Sequence, residues 1–300
     1  MPPLENAPPV AAVVVNWNRC ELLLEALRSL AKSDYSNLKV IVVDNGSDDG
    51  SAEAAAKEFP AAVVIRSERN LGFAAGNNLG MERALAEGAE FIFLLNNDAT
   101  VAENTIRLLI EFMAAGQRIG GAAPFIFYHD RPNLIWFGGG TAALWRGWIG
   151  HQWLRRQYKS GRHTPRRSGY LTGCALLLRA RALKETGLFD QNYGLYSEDV
   201  DLSLRLRRSG WELWVVPEAR VWHRISASSA GEFTPIKAFH RGRSNALLVR
   251  RYIRRWQIPT LMVGGILTGG LASLKLLLTG RGATALHFWR GVWAGLTVKG

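Results

Sequence analysis

The sequence predicts an α/β protein, with a mixed, mainly parallel sheet flanked by helices and a helical appendage at the C-terminal end. Three observations carry this. Short apolar runs alternate with helix-spaced stretches through the first hundred residues, the pattern of βαβ units. Polar loops follow these runs, so chemistry-bearing side chains gather at one sheet edge, where open α/β folds bind ligands. The last 68 residues hold 11 Lys and Arg and no acid, with long apolar runs between them, unlike the rest of the chain.

Val10–Val15 is apolar and β-branched and reads as a first strand, ending in Asn16-Trp17-Asn18. Glu21–Ala31 carries Leu22, Leu23, Ala26, Leu27 and Leu30 at helical spacing. Lys39–Val43 is a second strand closing on Asp44-Asn45-Gly46-Ser47-Asp48-Asp49. A carboxylate directly after a buried strand can accept hydrogen bonds from a base or ribose. Ser47, Asp48 and Ser51 serve equally well as helix caps. A helix over Ala52–Phe59 and a strand over Ala62–Ile65 follow. Then Asn70-Leu71-Gly72-Phe73-Ala74-Ala75-Gly76-Asn77-Asn78 leads into a helix through Ala86. These glycines lack the spacing of a dinucleotide fingerprint, and no Walker A sequence is present.

Phe91–Leu95 runs without a break into Asn96-Asn97-Asp98, a buried parallel strand ending in two amides and a carboxylate. Such a rim suits a hard divalent cation and a diphosphate. Taken alone it is equally a polar turn capping a helix from Glu103. Arg118–Arg181 reads as antiparallel strands and a basic loop, with no acid between Asp130 and Glu185. Within it Tyr170–Arg179 is strand-like, and Gly173 marks a point of close backbone approach. Tyr196-Ser197 then precedes Glu198-Asp199-Val200-Asp201. The spacing predicts a helix over Glu198–Ser209 with Ser197 or a neighbour as N-cap, ended by Gly210. Three carboxylates in four residues exceed what capping needs, and one facing a cleft would make a general base. Trp211–Val216 is a strand before Pro217, and Val221-Trp222 precedes His223, whose imidazole could complete a metal site with a carboxylate.

Composition excludes several classes. The hydrophobic content of 48% is globular, and Cys20 and Cys174 offer neither metal spacing nor a disulfide framework. That fits a reducing compartment. MPPLENAPPV lacks the basic and apolar regions of a signal peptide, and no internal repeat is found. The net charge of +12 arises almost wholly from residues 233–300, since residues 1–232 hold 26 Lys and Arg against 25 acids. The excess implies an anionic partner of that segment. It lies beside apolar runs rather than in a nucleic-acid module, so no nucleic acid is expected.

The order VxxNWN, VVDNGSDDGS, NLGFAAGNNLG, LLNND, TGCALLLR, FDQNYGLYSEDVDLSLRLRRSGW and WH resembles the family 2 glycosyltransferases of the GT-A fold. It is most similar to the bacterial rhamnosyltransferase-like subgroup, over about Val10 to Asn245. The resemblance implies a nucleotide-sugar donor, dTDP- or UDP-linked, a divalent cation (Mg²⁺ or Mn²⁺), and inversion in one displacement. It makes Asp199 the catalytic base, with Glu198 the alternative. Asn16 and Asn18 match the donor-base loop and Asp44 the nucleobase carboxylate. Asn45, Ser47, Asn70, Gly72, Asn77 and Gly173 fall among the donor-binding positions. Asn96-Asn97-Asp98 matches the D-x-D motif, with Asp98 its metal-binding acid and His223 completing the metal site. Asn96 departs from the family's first acid, which removes one ligand charge. The Q-x-x-R-W of processive members is absent, and Arg254-Arg255-Trp256-Gln257 does not match it, which favours addition of a single sugar.

The expected organisation is a flexible segment over residues 1–9, a transferase domain over 10–245 and a basic, apolar helical tail over 246–300. Leu261–Leu278 is 18 residues long with one charge, short and weak for a spanning helix. With flanking arginines and tryptophans it fits attachment to an anionic membrane surface, at the cytoplasmic face of the bacterial inner membrane. The acceptor then expected is lipid-linked or a glycan. Helix N-terminus and metal are expected to favour the ionised form of Asp199. A nucleotide-binding protein without transferase activity and a basic nucleic-acid binder are the alternatives.

Overall fold

The computed structural model describes residues 7–224 and 234–298; most of the expected N-terminal segment lies outside the described residues. Four apolar runs form the parallel strands β1 (Val10–Asn16), β2 (Leu38–Asp44), β3 (Val63–Arg66) and β4 (Phe91–Asn96). Helices α1 (Cys20–Ala31), α2 (Ser51–Glu58) and α3 (Phe73–Ala86) connect them. Helix α1 buries Leu23, Leu24, Ala26, Leu27 and Leu30, each such leucine worth roughly 1.5–3 kcal/mol of transfer free energy. Two glycines of α3 face β1: a Cβ on Gly80 would stand 2.3 Å from the Val13 side chain and one on Gly76 2.8 Å from Val15. These glycines bring helix and sheet together.

The chain continues through β5 (Ala99–Val101), α4 (Thr105–Ala114), β6 (Ile119–Tyr128), β7 (Arg131–Phe137), β8 (Gly140–Ala143), β9 (Trp148–His151), β10 (Arg166–Arg167) and β11 (Ala175–Arg179). Then come α5 (Ala180–Thr186), α6 (Glu198–Arg208) and β12 (Glu212–His223). The sheet has ten strands, in the order β10-β12-β6-β11-β4-β1-β2-β3, with β5 on β12 and β7 on β6. Strand β11 is antiparallel to β4 and β6, while β6 and β12 run parallel. The predicted mixed, mainly parallel sheet with flanking helices is therefore what the chain forms. Two boundaries differ from expectation. Pro217 does not end a strand: β12 runs through it, with the pairing to β6 shifting register between Val216 and Arg220. Helix α4 starts at Thr105 rather than Glu103.

The C-terminal part is helical: α7 (Pro235–Tyr252), α8 (Ile258–Gly265), a π turn over Ile266–Gly270, α9 (Leu271–Leu278) and α10 (Gly282–Thr297). Helix α7 crosses residue 245, where the sequence places the end of the transferase domain. It pairs with α10 through small residues. A Cβ on Gly242 would lie 2.2 Å from the Phe288 carbonyl oxygen, and on Gly291 2.0 Å from that of Phe239. Gly291 and Gly295 form a GxxxG pattern facing Ala238, Gly242 and Ala246, all buried. Arg255–Leu278 forms a 24-residue helical run, and an 18-residue window of it has mean hydropathy 1.8 with none of its described residues buried.

Candidate active site

The polar ends of β1, β2 and β4 meet at one sheet edge because the strands are in register there: Asn16 pairs with Asp44 and Val15 with Asn96. Asp44 is buried. Its Oδ2 accepts the Ser47 N–H at 3.3 Å, while its Oδ1 has no partner in the protein. A buried carboxylate oxygen left open is costly unless a ligand donor meets it, which fits the predicted nucleobase contact. Asn16 is fully buried and accepts from Asn97 Nδ2 at 2.6 Å. Ser47 Oγ accepts the Asn18 N–H, and Asn18 Oδ1 accepts the Asp48 N–H, so this loop is braced across its width. Asn45 clamps the third loop, donating to Asn70 Oδ1 and Gly72 O and accepting from Leu71 N–H. Asn77 is used inside α3, where its Nδ2 donates to the Phe73 carbonyl at 2.9 Å. These amides shape the donor loops.

Asp98 follows β4, and the antiparallel pairing of β5 with β12 sets His223 opposite Ala99. This brings His223 Nε2 to 3.1 Å from Asp98 Oδ1. The two form a close ion-pair contact when the ring is charged, and His223 Nδ1 is buried without a hydrogen-bond partner. Burial opposes a charged His223 ring, yet Cys174 and Asp98 beside it raise its pKa to about 10. Burial also raises the Cys174 thiol, which stays neutral, so the Asp98 carboxylate is the partner that favours a charged ring. No cluster of three His, Cys, Asp or Glu side chains arranged for an ion occurs among the described residues. The Asp98 carboxylate, joined by the His223 imidazole once that ring has lost its proton, fits a divalent cation that takes its remaining oxygens from substrate phosphates and water.

Asp199 sits in the first turn of α6. Its Oδ2 accepts the Gly173 N–H at 3.0 Å and its Oδ1 the Val200 N–H at 2.8 Å, with the Thr172 hydroxyl a further donor. Gly173 thus positions the carboxylate; its Cα is pressed against Phe73, whose ring a Cβ would meet at 2.9 Å. Burial raises the Asp199 pKa against the pull of these donors. The backbone N–H groups at the start of α6 favour its ionised form, as expected, and burial opposes them. Glu198 is pushed up to about 8 by burial and by the Asp199 charge, and its Oε2 has no partner. The backbone donors seat a charge on Asp199, while Glu198, without a partner for Oε2, is the acid suited to hold a proton, a separation of roles typical of paired acids. Ser197 holds the N-cap position without a side-chain cap bond. Both Tyr196 and Ser197 have φ of 70°, backbone strain of the kind found at functional sites.

These groups are joined. Asn97 links Asn16 to the Asp98 turn, and Asn96 N–H donates to the Cys174 carbonyl next to Gly173, the donor to Asp199. The chain of contacts therefore runs from Asp44 through Asn16, Asn97 and Asp98 to His223, with Asp199 beside it. Every carboxylate that the sequence singles out for donor, metal or base lies along this edge.

The sequence profile of the family described as "Glycosyltransferase like family 2" matches residues 8–257. The chain belongs to that family. As a family 2 glycosyltransferase it is 29% identical over 267 residues to the N-acetylglucosaminyl-diphospho-decaprenol L-rhamnosyltransferase of Mycobacterium tuberculosis, covering 82% of this chain and 86% of that protein. It is 30% identical to the galactofuranosyltransferase GlfT1 of Mycolicibacterium smegmatis, covering 76% of this chain and 74% of the relative. Its fold matches that of the mannosyltransferase PcManGT from Pyrobaculum calidifontis, solved with GDP-Man and Mn²⁺, with a TM-score of 0.62 at 16% identity over 99% of this chain and 89% of that one. GalNAc-T7 with UDP, GalNAc and Mn²⁺ matches at 0.66 and 17% identity, over 84% of this chain and 49% of the other. The fold is GT-A, as the resemblance implied.

The structure adds roles that the sequence did not show. Asp201 is fully buried and accepts from Tyr252 Oη at 2.6 Å, Arg205 Nε at 2.8 Å and Tyr193 Oη at 3.1 Å, with Arg251 at 3.2 Å. This third acid of the cluster anchors α7 to α6 and to the loop that leads into the base. Only the i,i+4 spacing of Asp201 and Arg205 was visible in the chain. Trp136 packs edge-on against His223, with ring centroids 4.8 Å apart, and against His151 at 4.6 Å. Burial lowers the His151 pKa to about 4, so that ring is neutral.

Proposed function

We propose that this glycosyltransferase is inverting, metal-dependent and non-processive, and moves one sugar from a nucleoside diphosphate donor to a hydroxyl of a lipid-linked acceptor. The observation that carries this reading is the seating of Asp199 on the Gly173 N–H, beside the Asp98–His223 pair and on the same edge as the open Asp44 oxygen. Asp44 and the braced Asn16–Ser47 loop bind the nucleoside. Asp199 takes the proton of the acceptor hydroxyl as that oxygen attacks the anomeric carbon. The new C–O bond forms on the face opposite the breaking bond to the diphosphate, so one displacement inverts the centre. Glu198, protonated, keeps a second negative charge away from the base. Asp98 and His223 would hold a Mg²⁺ or Mn²⁺ ion, which supplies charge neutralisation to the diphosphate leaving group.

Rhamnose from dTDP-rhamnose, or a hexose from a UDP-sugar, is the donor we favour, and the rhamnosyltransferase relative supports the first. That relative's name also supports an acceptor carried on a polyprenyl diphosphate, and relatives named for O-antigen and succinoglycan biosynthesis support a role in cell-surface glycan synthesis. We place the enzyme at the cytoplasmic face of a bacterial inner membrane, held by the tail. Arg255–Leu278 favours a second reading as well, a single span, because 24 helical residues reach about 36 Å against a hydrocarbon core of about 30 Å.

The test is a panel of nucleotide sugars supplied with Mn²⁺ or Mg²⁺ and a polyprenyl-diphosphate-linked sugar. The reading expects release of nucleoside diphosphate from one donor that needs both metal and acceptor, and a product of inverted anomeric configuration by NMR. Release unaffected by chelation, or a product that retains configuration, contradicts it.

A further inference from the structure

The hairpin of β8 and β9 connects the active site to the tail. At its base Gly140 pairs with His151 and lies so close to Tyr170 that a Cβ there would be 2.3 Å from the ring. His151 packs on Trp136, the ring that also packs on His223. At its tip, Arg146 and Gly147 meet α8. A Cβ on Gly264 would stand 2.3 Å from the Arg146 carbonyl oxygen, and one on Gly147 3.4 Å from Gly265 N. Glycine on both sides allows this contact.

Between the hairpin tip and α8 opens a groove of about 770 Å³, lined largely by apolar groups including Ala143, Trp145, Trp148, Val263 and Leu267. Arg146 also lines it and lies over the Trp145 ring at 4.2 Å. Trp145 and Trp148 are exposed, although apolar rings of this size are usually covered. The groove adjoins a helix whose apolar window has no buried side chain among the described residues. Strand β8 runs from the base of the hairpin at Gly140 along the groove, which its Thr141 and Ala143 line.

We propose that this groove seats the hydrocarbon chain of a polyprenyl carrier, with Arg146 providing a cation for its phosphates. The sugar to be extended then reaches Asp199 along the hairpin. The shape and charge fit one occupant: an apolar chain lies against the tryptophans, an anion sits at the arginine, and the glycan points to the site. An ordinary phospholipid shares the first two features but has nothing to present to the base. The proposal rests on the reading of the acceptor as lipid-linked.

The experiment uses the full chain in phospholipid nanodiscs with a trace of a diazirine-bearing polyprenyl phosphate. Irradiation is expected to label peptides covering residues 141–148 and 259–268. Excess unlabelled polyprenyl phosphate displaces the label and excess phosphatidylglycerol does not. Val263→Trp, which fills the groove, and Arg146→Ala each reduce labelling about tenfold, the scale of one lost interaction of about 1.4 kcal/mol. Unchanged binding of nucleoside diphosphate shows that both variants are folded. Labelling elsewhere, labelling indifferent to both variants, or displacement by phosphatidylglycerol overturns the proposal. Failure of the transferase reading appears separately, as a wild-type protein that takes the label but binds no nucleoside diphosphate.

Discussion

At the scale of single residues, the two acids at the start of α6 have separate tasks set by their surroundings. Asp199 accepts hydrogen bonds from the backbone, and Glu198 has a buried oxygen with no partner. Glu198→Gln reproduces the neutral acid and is expected to keep turnover within a few-fold of wild type in a steady-state assay. A base acts only when unprotonated. Because burial raises Asp199 above its ordinary 3.8, turnover should fall with decreasing pH through a midpoint above that value. Stability has the opposite dependence at Glu198. Its folded pKa is raised from 4.5 to about 8, so its contribution is complete below 4.5 and is lost as pH rises through 8. Thermal unfolding should therefore show Glu198→Gln gaining Tm over wild type at pH 9 and little at pH 5. Asp98→Ala is expected to abolish Mn²⁺-dependent binding of nucleoside diphosphate in calorimetry, and His223→Ala to weaken it less. Asp44, Asp98 and His223 were legible because each ends or follows an apolar run, which places it on the sheet edge. The role of Gly173 was not, because a backbone N–H leaves no mark in sequence. The bond from Asn77 to the carbonyl of its own helix was equally hidden.

At the scale of elements, α7 belongs to the catalytic body as much as to the tail. Ser244 donates to the Tyr193 and Leu195 carbonyls, and Arg243 to those of Asn192 and Tyr193, all in the loop before the base. Asp201 closes the same junction. Replacing it with Ala leaves Arg205 and two tyrosines without their buried acceptor, a change that costs about 3–5 kcal/mol. Chemical denaturation of Asp201→Ala should show a loss on that scale, and Asp201→Asn a smaller one. The βαβ half of the chain was legible because period and polar loops agree there. The boundary at 245 and the break at Pro217 were not. The Tyr252 partner of Asp201 comes from 51 residues later, and a bulge lets a strand continue past a proline.

At the scale of the whole molecule, charge and apolar surface divide the protein into a near-neutral catalytic body and a basic tail. In the tail Leu267, Leu271, Leu274, Leu277 and Leu278 are exposed, as are Trp289 and Trp293 of α10. The proposed attachment to a membrane would account for both features together. Leu271→Arg with Leu274→Arg is expected to shift the full chain from the membrane pellet to the supernatant in fractionation, with soluble donor binding unchanged. Removing everything after Gln257 is a poor test, because it strips α10 from the glycine face of α7. The tail's composition was legible, but its packing against α7 and the hairpin depends on glycines whose partners lie far along the chain.

The central claim is that Asp199 removes the acceptor proton in a site that binds its donor independently. The most direct test compares wild type and Asp199→Asn for acceptor-dependent turnover and for nucleoside diphosphate affinity in the same preparations. The account predicts a loss of turnover of roughly 100-fold or more, the scale of a missing general base, with affinity for the nucleotide unchanged. Near-normal turnover in Asp199→Asn, with the loss appearing instead in Glu198→Gln, would contradict it.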